Sequence, residues 1–96
     1  MQFNEFCAIV KKWKTQGSKL KIKNLNSNET YKVISYDVMS PCICGTIISF
    51  EVKPSYAFMI REKEENTINE IDENTYELKF DNNSYQIFIM RTITKG

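Results

Sequence analysis

TYELKFDNNSYQIFIMRTI, residues 75–93, is the stretch from which the fold can be read. Apolar and polar residues alternate on both sides of Asp81-Asn82-Asn83-Ser84, the period of a strand buried on one face. Four turn-forming residues in a row make the whole a hairpin, and Asn tolerates the positive φ that a tight turn demands. With Asn82-Asn83 as a two-residue loop, Phe80 stands opposite Tyr85, Leu78 opposite Ile87 and Tyr76 opposite Ile89. All six apolar side chains then share one face, and a slip of one residue would scatter them.

The same alternation runs back through the chain. Residues 19–23 read as a strand and 24–29 as a polar turn. Residues 30–38 read as one strand ended by Met39-Ser40-Pro41, residues 46–53 as a strand closed by Pro54-Ser55, and 56–63 as the next. The acidic stretch 64–74 reads two ways, as a short strand around Ile68 or as a helical turn capped by Thr67 and Glu70. Only the start of the chain is helical. Phe3, Phe6, Cys7, Val10 and Trp13 form an apolar stripe at helical spacing. Asn4 is the expected N-cap, with Phe3 and Ala8 at the staple positions. Lys11, Lys12 and Lys14 suit the negative end of the helix dipole, and Gly17 is the expected stop.

These elements predict a single α+β domain over residues 1–96: a helix over about 3–16 on a strongly curved, five- or six-stranded antiparallel meander over about 18–93, curled toward a partly closed barrel. The length leaves no room for a second core. Sorting strand residues by parity gives a main core face of Ile34, Tyr36, Val38, Ile48, Phe50, Val52, Tyr56, Phe58, Ile60, Tyr76, Leu78, Phe80, Tyr85, Ile87 and Ile89. The other parity is largely polar, yet it carries Val33, Ile47, Ala57, Met59, Phe88 and Met90. One helix of fourteen residues, about 21 Å by 10 Å, cannot shelter both faces. Either the sheet curls, pairs with a second copy or takes a different protein on its outer side, or these apolar residues are scattered singly, as is normal on a protein surface.

Composition excludes several functions. A net charge of +1 is too small for a cationic nucleic-acid coat and has the wrong sign for an acidic DNA mimic. The charge is uneven, with a surplus of four positive charges over residues 1–40 and of four negative charges over 61–80. Histidine is absent, which removes the commonest general base and zinc ligand. Cys42-Ile43-Cys44 has neither a second pair nor the spacing of a redox motif, so its thiols, with Cys7, read as inert. Three glycines are too few and too scattered for a phosphate loop. Carboxylates from Glu62 to Glu73 read as a solvated run. No catalytic residue, metal or cofactor is expected.

The N-terminus lacks the order of a signal peptide, and the longest apolar runs are a few residues. Three cysteines make no disulfide framework. A reduced, cytoplasmic protein is expected. The abundance of Ile, Lys and Asn suits a low-GC bacterium or its phage. An amphipathic helix could lie on a membrane, but this helix is needed to cover the sheet.

Binding to another protein or to a second copy is the first expectation. Val33, Ile47, Met59, Phe88 and Met90 are the contacts, as in a small accessory or phage-encoded inhibitor. Nucleic-acid binding is the alternative, through Lys19, Lys21 and Lys23, extended by Lys11, Lys12 and Lys14, with Tyr31 stacking on a base. Lysines on an outer strand also deter edge-to-edge pairing, which gives the same residues a purely structural reason. A third reading is a small apolar ligand inside the curled sheet, lined by Tyr36, Phe50, Phe58 and Tyr85.

Overall fold

The structure, a computed structural model, describes residues 1–40, 43 and 45–90. The Cys42 and Cys44 pair and the end of the last expected strand lie outside the described residues.

The helical stripe forms α1, Phe3–Thr15, with Phe6, Cys7, Val10 and Trp13 buried and Phe3 packed at the margin of the core. Its N-cap is Gln2, two residues before the expected Asn4. Glu5 decides this, because its carboxylate accepts the Gln2 backbone N–H at 3.0 Å and supplies the reciprocal half of a capping box. Asn4 therefore lies in the first turn, and Ala8, expected as a staple, is exposed. At the other end Gly17 has φ +68°. Its N–H reaches the Lys14 carbonyl at 3.1 Å, and the Ser18 N–H reaches that of Trp13 at 2.9 Å, the paired bonds of a Schellman stop. A Cβ at Gly17 would meet nothing within 4 Å, so only the backbone resists substitution. Gly17→Ala is expected to cost about 1–2 kcal/mol, read from the shift of a urea midpoint at unchanged slope.

Among the described residues eight strands follow: β1 (Lys19–Asn24), β2 (Thr30–Lys32), β3 (Ser35–Met39), β4 (Ile47–Lys53), β5 (Tyr56–Arg61), β6 (Asn66–Asp72), β7 (Thr75–Phe80) and β8 (Asn83–Met90). They form two antiparallel sheets, a five-stranded one in the order β2-β1-β8-β7-β6 and a three-stranded one in the order β3-β4-β5. The expected single meander is thus two layers, and among the described residues no barrel closes. The core lies between them: Leu20, Ile22, Ile68, Tyr76, Leu78, Phe80, Tyr85 and Ile87 from the larger sheet meet Ile48, Phe50, Val52, Phe58 and Ile60 from the smaller. Helix α1 packs on β3 and β6, an edge strand of each sheet. The chain itself supplies the cover that one helix could not.

The division falls within the segment expected to be one strand, residues 30–38. β2 pairs with β1 and β3 with β4. The Val33 N–H still bonds the Leu20 carbonyl at 3.0 Å, while the Ile34 N–H already bonds Glu51 at 2.8 Å. Crossing between sheets breaks the alternation, because two successive residues, Ile34 and Ser35, point outward. Ile34, expected in the core, is 58% exposed. Tyr31 and Val33 turn inward instead. Tyr56, also expected in the core, is 46% exposed at the start of β5, beside the irregular register between Glu51 and Lys53.

In the hairpin, Tyr76 pairs with Ile87 and Leu78 with Tyr85. The loop is Asp81-Asn82, at φ +56° and +61°, as a type I′ turn requires. The expected Asn82-Asn83 loop is off by one residue, and the pairing by two. An even slip returns every side chain to the same face, so the predicted face survives a wrong register. Residues 64–74 resolve in favour of the strand: β6 pairs along β7, and Ile68 is buried opposite Leu78.

Candidate functional site

The outward side of the five-stranded sheet follows from its registers. β1 contributes Lys19, Lys21 and Lys23, and β2 contributes Thr30 and Lys32. β8 adds Gln86, Phe88 and Met90; β7 adds Thr75, Glu77 and Lys79. One row across the sheet reads Lys32, Lys21, Phe88, Thr75, Asp72, and the next reads Thr30, Lys23, Gln86, Glu77, Asn69. Lys19 stands opposite Met90. Lys19, Lys21, Lys23, Lys32 and Lys79 thus share the face with two carboxylates, Glu77 and, on the edge strand β6, Asp72. The surplus is three positive charges, where the whole chain carries +1.

This arrangement works against stability. Lys21 and Lys32 are direct cross-strand partners, and like charges so placed repel. Edge protection accounts for Lys32 on the edge strand β2 but not for the lysines of β1, which lies inside the sheet between β2 and β8. Among the described residues, no ion pair joins Lys19, Lys21, Lys23 or Lys32 to a carboxylate. Phe88 sits among them half-buried and outside the core cluster. Alternate residues on a strand are about 7 Å apart, so β1 presents three cations in a straight, evenly spaced line.

The helix lysines stand apart from that line. Lys14 is bound to Asp37 of β3 at 3.0 Å, an exposed pair. The Lys14 ammonium, then the Val38 backbone N–H, hold the Asp37 carboxyl below its ordinary pKa. Lys11 and Lys12 are exposed on α1, which packs on β3 and β6. Tyr31, expected to stack on a base, turns into the molecule: its ring lies 5.6 Å from Phe58, and its hydroxyl donates to Glu29 at 2.9 Å. That hydrogen bond raises the tyrosine's pKa, with a smaller contribution from burial.

The five residues expected to form one protein contact are divided. Val33 packs on the core. Phe88 and Met90 lie on the basic face. Ile47 and Met59 lie on the outer face of the three-stranded sheet, opposite Arg61 and Ser49. There an open groove of about 470 Å³ runs past Met39, Ala57, Met59 and Tyr56 between the polar side chains of Ser35, Asp37, Ser49 and Glu51. The rings expected to line an internal ligand cavity pack on one another instead: Phe58 and Tyr85 are 5.0 Å apart, Tyr36 and Phe50 6.4 Å. Phe50 has no exposed surface.

Cys7 is buried one turn from Lys11. Burial pushes its thiol pKa up, Lys11 opposes that, and Glu62 adds to it, the reverse of an activated nucleophile. Among the described residues no group of three or more Cys, Asp or Glu side chains is placed to hold a metal ion. No helix there is long and apolar enough to cross a membrane.

Sequence reading put Lys19, Lys21 and Lys23 on one side of a strand, as the registers have them. It missed Lys32 and Gln86, because only the register of β2 on β1 and of β8 on β1 carries them to the same face. Comparison with protein-family models, with curated proteins and with solved structures finds no match.

Proposed function

We propose that the protein is a non-catalytic, cytoplasmic binding module that holds single-stranded nucleic acid on the outer face of its five-stranded sheet. The observation that carries this reading is the line of lysines on β1, an interior strand, with Lys32 beside it and Phe88 at its flank. An evenly spaced row of cations matches a chain of phosphates. A ring beside the row gives a base its stacking surface, and stacking needs no particular sequence. An open sheet face leaves bases accessible, whereas a duplex hides them.

Anisotropy of a labelled single strand of about ten nucleotides tests this. With three to five phosphates neutralised, affinity is expected to fall roughly twenty- to hundredfold between about 50 and 200 mM salt. Phe88→Ala is expected to weaken binding a further fivefold or more, since each stacked base contributes about 1–3 kcal/mol. Absence of binding at low salt, or capture by phosphatidylserine vesicles alone, overturns the reading.

A second reading, association with another copy of the chain, rests on the groove of the three-stranded sheet and the exposed Met39 and Tyr56 beside it. Light scattering that finds a dimer, broken by Met59→Asp, would favour it.

A further inference from the structure

The basic face is graded across its strands, and the grade has a consequence for which bases it accepts. Reading along one row, Thr30 on β2 is followed by Lys23 on β1, Gln86 on β8, Glu77 on β7 and Asn69 on β6. In this row the cation therefore stands on one side, an amide in the middle and a carboxylate beyond it, with Lys79 two residues along β7 from that carboxylate. Strands are spaced about 4.8 Å apart, so Glu77 lies roughly 10 Å from the lysine line, about the reach of a nucleotide from phosphate to base edge. A nucleotide whose phosphate rests on Lys21 and Lys23 lays its base over Phe88 and Gln86, with the pairing edge toward Glu77.

An ionised carboxylate only accepts hydrogen bonds. The exocyclic amines of cytosine, adenine and guanine donate to it. Thymine and uracil present carbonyl oxygens on both sides of their one ring N–H, and those oxygens are repelled. Gln86, one strand nearer the lysines, both donates and accepts and so tolerates either kind of edge. Glu77 is also the acid on this face nearest the lysine line, Asp72 standing one strand farther off on β6, and it weakens the attraction for phosphate that the five lysines create. Its place there is better explained by a gain in selectivity than by affinity.

We infer that the outer face of the five-stranded sheet selects bases carrying an exocyclic amine over thymine and uracil, with Glu77 as the discriminating side chain. This rests on the nucleic-acid reading above. The decisive comparison is between oligocytidine and oligothymidine of equal length at neutral pH, two pyrimidines of similar stacking, on the full chain and on Glu77→Gln. The wild-type protein is expected to bind oligocytidine roughly tenfold more tightly, within the range of one well-placed base contact. Glu77→Gln is expected to bind both strands more tightly and to lose most of the preference, because glutamine can also donate to a carbonyl. A melting curve confirms that the variant is folded. Equal binding of the two strands by the wild type, or a preference that persists in Glu77→Gln, overturns the inference and leaves the lysine platform standing. Failure to bind either strand removes both.

Discussion

Phe6→Ala is expected to destabilise the fold by roughly 3–5 kcal/mol and to lower the melting temperature by on the order of 15–30 °C. Phe6 has no exposed surface. Its ring meets Trp13 at 5.9 Å and Tyr76 at 5.3 Å, and Trp13 meets Tyr76 at 5.5 Å. The three rings fasten α1 to β7. A helix of thirteen residues is marginal alone in water, so α1 persists because this contact holds it on the sheets. Removing the central ring loses its burial, leaves a cavity and loosens the element that packs on an edge strand of each sheet. Thermal melting followed by circular dichroism measures the effect. A loss below about 1 kcal/mol would mean that the cluster does not bind the helix.

The double variant Lys21→Gln/Lys23→Gln is expected to lose about 25-fold in affinity for a single strand at about 100 mM salt. Each neutralised phosphate contributes about 0.7 to the salt slope of a single strand, so two lost contacts cost about 1.4 decades over the decade up to 1 M. The same variant is expected to melt no lower than the wild type, because Lys21 faces Lys32 across the strand pair and glutamine relieves that repulsion. Binding lost while stability is kept separates a recognition surface from a structural one. Anisotropy at several salt concentrations, beside a melting curve, reads both. An unchanged slope would place the nucleic acid elsewhere.

Elements were more legible in the sequence than their arrangement. The helix could be read because Phe6, Cys7, Val10 and Trp13 recur at helical spacing and Gly17 closes the pattern. Its N-cap was misplaced because the spacing of Gln2 and Glu5, rather than a short polar residue, supplies the reciprocal bond. The hairpin face could be read, but its register could not: alternation repeats every two residues, so Leu78 opposite Ile87 and Leu78 opposite Tyr85 are equally apolar. The choice fell to backbone geometry at Asp81 and Asn82. The change of sheet at Val33 and Ile34 left no trace in the pattern, since an apolar pair sits there whichever way each points. That crossing also divided the proposed protein contacts. Val33 went to the core, while Ile47 and Met59 parted from Phe88 and Met90 with their separate sheets. The lysine line survived because it lies on one strand, whose alternation no crossing interrupts.

The crossing also governs how the molecule comes apart. Thr30–Lys32 belongs to one layer and Ser35–Met39 to the other, with two residues between them, so neither layer can peel away without dragging the ladder of its neighbour. Cooperative unfolding is therefore expected: calorimetric and van't Hoff enthalpies should coincide, and amides deep in β4 and β8 should exchange with deuterium through the same global opening.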